Sequence, residues 1–169
     1  RVRKQFLYEN RKNVKAAIIV WDQQEKYLDR KHVIEAAWNW INMTIPVISS
    51  TFASFSRMCK NLGAETLGHL FIDEAGQALP QAAVGAIYRS RHVMVVGDPL
   101  QIKPVLTLDS NTLYMLGEHF GVTEKYLSAS ASAQILADAA SQYGFYRKQD
   151  KAEDSWVGIP LWVHRRCRY

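Results

Sequence analysis

Along residues 1–43 the apolar positions recur with the period of a helix. Val33, Ala37, Trp40 and Ile41 fall at i, i+4, i+7 and i+8, and Ile34, Trp38 and Ile41 at i, i+4 and i+7. The spacing predicts a first helix over about Asn13–Tyr27. A second begins after Asp29, a suitable N-cap, and ends before Pro46. Trp38 and Trp40 then read as core or as a seam between helices.

At Pro46 the pattern changes to short apolar runs that stop at polar residues. Val47-Ile48 runs into Ser49-Ser50-Thr51, Leu70-Phe71-Ile72 into Asp73-Glu74, and Val93-Met94-Val95-Val96 into Gly97-Asp98. Such runs predict strands buried on both faces of a parallel sheet. Phe52–Asn61 and Gln77–Tyr88 fit as crossover helices, with Gly63 at a C′-like position where a left-handed backbone is easy. The order is β-α-β-α-β, so the fold class is α/β. Farther on, Leu106–Tyr126 reads as an excursion in which Tyr114, Met115 and Phe120 supply core or cover. Ser130–Tyr143 reads as a helix with Ile135, Leu136, Ala139 and Ala140 inward and Gly144 as its stop. Lys148–Asp154 is a charged linker, and Ile159–Val163 begins another strand.

The 169 residues are 48% hydrophobic and 22% charged, enough to build a core. The longest purely apolar run is Ala16–Trp21, too short to span a membrane, and the charged N-terminus has no apolar stretch of a signal peptide behind it. Two cysteines, Cys59 and Cys167, make neither a disulfide framework nor a zinc cluster, which suggests a reducing, cytoplasmic setting. His32, His69, His92 and His119 show no ligand spacing. The chain does not start with Met and stops within a basic cluster, as a piece of a longer protein would.

Net charge is +5, which by itself hints at a nucleic-acid partner. Its distribution says otherwise. Residues 1–15 hold six basic groups against Glu9, and Arg165, Arg166 and Arg168 add three more. Between them, twelve basic groups face fifteen acidic ones, so the body is mildly acidic.

Ligands of open α/β sheets bind beyond the carboxyl ends of the strands. The three runs deliver Thr51, then Asp73 and Glu74, then Asp98 and Gln101, to one edge. Asp73-Glu74 after Leu-Phe-Ile is a Walker B arrangement. Phosphoryl transfer from ATP needs an acid to hold Mg²⁺ and a neighbouring base for the attacking water. Gly97 allows a sharp exit from the next strand, and Pro99 and Pro104 stiffen a loop that could hold the Gln101 amide beside a γ-phosphate.

Four segments together resemble the superfamily 1B helicases. They are Pro-Val-Ile-Ser-Ser-Thr-Phe-Ala-Ser, Leu-Phe-Ile-Asp-Glu-Ala-Gly-Gln-Ala, Val-Val-Gly-Asp-Pro-Leu-Gln-Ile-Lys-Pro-Val and Pro-Leu-Trp-Val-His-Arg-Arg-Cys, in the family's order over residues 46–167. More narrowly, the chain looks like bacterial AAA-domain DNA or RNA helicases related to the nonsense-decay and Okazaki-fragment helicases. The resemblance implies a partial RecA-like P-loop NTPase lobe with ATP and Mg²⁺ as cofactors. It places a helical insertion at 1–45, the partial first lobe at 46–147, and a linker with the start of a second lobe at 148–169. Asp73 would hold Mg²⁺ and Glu74 would activate water. Gln101 would sense the γ-phosphate, with Gly97 and Asp98 shaping its loop. Thr51 and Ser54 match the motif that contacts a nucleic-acid backbone. Arg165 matches the arginine that reaches the γ-phosphate from the second lobe, with Arg166 its alternative one residue on. The implied partners are DNA or RNA, as a single strand, and the missing parts of the same chain. The family generally moves 5′→3′.

None of the nine glycines is followed by Lys, so the phosphate-cradling G-x-x-x-x-G-K-[ST] loop is not in this sequence. Truncation at both ends explains that more economically than a degenerate relative, and it predicts a piece inactive by itself. Two other readings use the same residues. Asp73, Glu74 and Asp98 could form the carboxylate cluster of a metal-dependent phosphoester hydrolase, although Gln101 would then have no task. The basic ends, with Phe6, Tyr8 and Trp21 beside Arg11, Lys12 and Lys15, could serve a non-catalytic nucleic-acid adaptor.

Overall fold

A computed structural model describes residues 2–97, 104–105, 108–127, 131–148 and 155–159. The chain divides into two compact units, Arg1–Leu70 with Gly85–His92, and Phe71–Val84 with Val93–Tyr169.

The first unit is mainly helical. Its helices are α1 (Val2–Glu9), α2 (Arg11–Asp22), α3 (Lys31–Thr44) and α4 (Phe52–Met58). The first helix predicted at Asn13–Tyr27 corresponds to α2, which starts at Arg11 and ends at Asp22, and to the 3₁₀ turn Gln24–Tyr27 after it; α1 precedes it across a break at Asn10. The N-cap of α3 is Arg30; Asp29 pairs with the Arg30 guanidinium at 3.6 Å instead of capping. The inward face follows the helical period: Ile34, Ala37, Trp38 and Ile41 are buried. Ile34, Trp38, Cys59 and Leu62 form one core cluster, surrounded by Tyr27, Phe55, Met58 and Leu67. Full burial of such side chains stabilises by about 1.5–3 kcal/mol each. Trp40 stacks on Phe6 at 5.9 Å, and Trp21 meets Trp38 edge-on at 6.2 Å. Trp38 and Trp40 are core and seam, and Phe6 and Trp21, two of the three aromatics considered for a single-strand platform, pair with them.

Two helices finish on one arginine. Arg89, just past α5 (Pro80–Tyr88), donates through Nε to the Cys59 carbonyl at 2.9 Å and through its two terminal nitrogens to the Gly85 carbonyl at 2.8 Å and the Lys60 carbonyl at 3.4 Å. A planar cation suits these carbonyls, which helix ends leave without intrahelical partners.

Strands β1 (Leu67–Ile72) and β2 (Ser90–Val95) pair in parallel across α5, so a β-α-β unit is present. Two sequence expectations fail here. Val47-Ile48 forms no strand, and Val47 is 82% exposed. The strands are also not buried on both faces: Phe71 is 68% exposed, and Val93 and Met94 are open as well. Hydrophobic run length reads affinity for a core, but burial needs covering layers, and the described residues supply one parallel neighbour per strand. Gly63 also has no left-handed backbone. The helix before it stops at Met58, and among the described residues the left-handed ones are Glu65, Glu74 and Gly121.

In the second unit the predicted excursion contains a regular helix, α6 (Ser110–Phe120). Asp109 caps it by accepting from the Thr112 N–H at 3.0 Å, and Gly121 ends it at φ 64°. The Thr112 hydroxyl and N–H hold the Asp109 carboxyl below its ordinary range. Leu113 and Gly117 face inward, whereas Tyr114, Met115 and Phe120 are exposed rather than core. Helix α7 (Ala133–Ala140) is shorter than its sequence pattern and rotated from it. Ala133 and Asp138 are buried, and Ala139 and Ala140 face outward. Ser132 caps it, through its hydroxyl oxygen and the Ile135 N–H. Strands β3 (Phe145–Arg147) and β4 (Ser155–Val157) form an antiparallel pair. The strand expected at 159–163 lies, but for Ile159, outside the described residues. Among the described residues no helix is long and apolar enough to cross a membrane.

Candidate functional site

Asp73 and Glu74 leave the carboxyl end of β1, and both are exposed. The Asp73 carboxylate accepts the Glu74 N–H at 2.9 Å. Glu74 sits at φ 54°, ψ 36°, in the left-handed region that a residue with a side chain occupies at a cost. That turn starts a 3₁₀ segment at Ala75–Gln77, and Gln77 Nε2 returns to donate to Glu74 Oε2 at 3.1 Å. The two carboxylates therefore diverge: one folds onto the backbone, and the other is held by a neutral amide.

Gly97 closes the same neighbourhood from β2. The Val96 N–H donates to the Ile72 carbonyl at 2.8 Å, and the Ala75 N–H donates to the Val96 carbonyl at 3.1 Å. A side chain at position 97 would place its first carbon 2.8 Å from the Gly76 nitrogen, 3.0 Å from the Ala75 nitrogen and 2.9 Å from Gln134 Oε1. The glycine is required for close approach of two backbones. A left-handed exit from the strand is not the reason, since Gly97 has no positive φ.

The structure thus brings Asp73, Glu74 and Gly97 together within the second unit. Thr51 and Ser54 lie in the first, at the start of α4, where the Thr51 hydroxyl oxygen caps the helix by accepting the Ser54 N–H at 3.2 Å. Asp98, Gln101, Arg165 and Arg166 lie outside the described residues. Two features were missed by sequence reasoning. Gln134, 37 residues beyond Gly97, contacts its turn; no local motif flags it. His69 and His92, read as unrelated, stack at 5.0 Å on β1 and β2, as equal offsets within paired parallel strands would have indicated. Among the described residues no three His, Cys, Asp or Glu side chains cluster as metal ligands.

A β-α-β unit with exposed acids at a strand's carboxyl end is compatible with part of an α/β P-loop domain. A family model described as an AAA domain matches residues 1–108. The chain belongs to that family, a helicase-associated group of P-loop NTPases, and the family implies nucleotide binding. No curated protein matches the chain. No solved structure matches it.

The residues present fit one half of a Mg-nucleotide site. Two exposed carboxylates with different partners, just past the end of β1, are oxygen donors of the kind a hard cation takes. The glycine-lysine loop that would cradle the phosphates does not occur in the 169 residues.

Proposed function

We propose that this chain supplies the hydrolytic edge of an ATP-driven nucleic-acid helicase or translocase of superfamily 1B. The observation that carries the reading is the geometry at the end of β1: Asp73 and Glu74 exposed and differently partnered, with the Gly97 turn packed onto the residues behind them. Bound Mg-ATP supplies the phosphoryl group and the ion that neutralises its charge. Asp73 offers the acid for that ion. Glu74 accepts the proton of the attacking water; Gln77 fixes one of its oxygens, and its left-handed backbone fixes the direction of the side chain. Gln101 as γ-phosphate sensor, Asp98 three residues before it and Arg165 or Arg166 from a second lobe complete the assignment. The hydroxyls of Thr51 and Ser54 serve a DNA or RNA strand by donating to phosphate oxygens.

The test is made in the complete polypeptide that carries this chain. Glu74→Gln should retain Mg-ATP binding, measured with a fluorescent nucleotide, while turnover falls by about 10²–10⁴-fold, the usual contribution of a positioned base. Unchanged turnover would remove Glu74 from the role. The 169 residues alone should show no Mg-dependent ATP hydrolysis, for want of a phosphate cradle.

A further inference from the structure

Helix α7 holds a polar relay that neither packing nor the assigned motifs explain. Among the described residues Gln134 Oε1 is buried without a hydrogen-bond partner, 2.9 Å from where a Cβ on Gly97 would stand. Its Nε2 donates to Asp138 Oδ1 at 3.2 Å. The same Asp138 oxygen accepts the Gly158 N–H at 2.9 Å, just past β4. Asp138 is buried, and both donors are neutral amides. At the residue before Gln134, the Ala133 N–H donates to the Ala78 carbonyl at 2.8 Å, four residues beyond Glu74. A buried carboxyl with no cation beside it among the described residues, next to a buried carbonyl oxygen with no donor among them, is an arrangement stability alone does not favour. An apolar residue of similar size in place of Gln134 would remove the orphan.

We propose that Gln134 and Asp138 are positioning residues of the hydrolysis site. The carboxamide, oriented by Asp138, braces the Gly97 turn on the residues that follow Glu74. Asp138 ties that brace to Gly158, so the strand-end turns and the chain beyond β4 are held by one side-chain pair. A displacement at Gly97 presses on the packed Gln134 carboxamide and passes through its hydrogen bond to Asp138, and that of Asp138, to Gly158. The inference rests on the helicase-type ATPase reading above and adds residues that no motif contains.

The experiment compares Gln134→Met, Gln134→Ala, Asp138→Ala and Asp138→Asn in the complete polypeptide. It uses amide hydrogen exchange of peptides spanning residues 93–97 and 155–159, together with kcat and KM for ATP. Methionine keeps the volume of Gln134 and discards its polar atoms, so a merely structural role predicts wild-type or higher thermal stability and unchanged kcat. The brace predicts that Gln134→Met, like Gln134→Ala, speeds exchange of the Val96 amide by about 10-fold and lowers kcat by about 10-fold with KM within about 2-fold. Asp138→Asn retains an acceptor oxygen and should recover most of what Asp138→Ala loses, at both peptides. Unaltered exchange in Gln134→Met, or a fall in melting temperature with kcat intact, overturns the proposal. The exchange readout needs no nucleotide. If Glu74→Gln leaves turnover intact, the ATPase reading falls while the brace is still decided by exchange.

Discussion

The helical segment α1–α3 and the turns behind β1 and β2 solve opposite problems. In the first, stability comes from many interchangeable contacts. Ile34 and Trp38 are buried by apolar neighbours, Leu62 among them, and aromatic pairs close the seams. In the second, position comes from few, irreplaceable ones: a residue with a side chain at positive φ, a glycine wedged against two backbone nitrogens, and a buried amide oxygen without a donor. The lesson is that orphaned polarity means different things in the two places. Trp38 Nε1 is also buried and unpartnered, yet it belongs to a large ring whose apolar area outweighs the lost hydrogen bond. Gln134 has no such area to offset its cost.

The largest effect that would test this contrast is at Trp38. Trp38→Ala should cost about 3–5 kcal/mol in denaturant unfolding, by loss of transferred area and the cavity left behind. Trp38→Phe should cost far less, because it also deletes the unpartnered N–H. Equal losses for the two would mean that the indole nitrogen has a partner after all.

A smaller effect is expected at Gly97. Gly97→Ala forces a methyl against the Gly76 and Ala75 nitrogens and should cost about 1–3 kcal/mol, as overpacking does. In the complete polypeptide it should also lower ATP turnover, which Trp38→Phe should not. An alanine variant of wild-type stability would show that the two turns are looser than drawn.

The smallest concerns Cys59, in the apolar cluster. Burial pushes its thiol from an ordinary 9.0 up to about 11, with nearby Arg89 opposing the shift. The folded pKa is raised, so the stability contributed by the neutral thiol is complete below pH 9 and is lost as pH rises through 11. At pH 8 the thiolate is about 100-fold scarcer than in an unfolded chain, and carboxamidomethylation of the Cys59 peptide should be slower by at least that factor. Rapid labelling at pH 8 would mean that the cluster opens.

Much of this was legible in the sequence, and for particular reasons. The face of α3 was readable because burial there follows a single period. Asp73 and Glu74 were readable because a local order, apolar run then acids, places them at a strand end. Val47-Ile48 misled because run composition reports affinity for a core but not whether a neighbour strand exists to pair with it. Helix α6 was hidden by its glycines: Gly117 lies inward where Leu127 comes close, and Gly121 is its C-cap. Asp138 reads as a surface acid in any helical wheel; its burial follows from Gly158, twenty residues away, which no periodicity encodes. Gly97 was singled out for a sharp exit from its strand, whereas the close approach of another backbone there is visible only in three dimensions.

Arg89 has a consequence for the order of assembly. Its donors reach back 29 and 30 residues to Lys60 and Cys59, and only four to Gly85. The local bond can form as soon as α5 does. The distant ones close a long loop and reward it only after α4 and the β1–α5 segment are both in place. One guanidinium thus acts as a latch, set by the later helix and closed upon the earlier one, so that neither helix end is finished until the chain between them has been threaded.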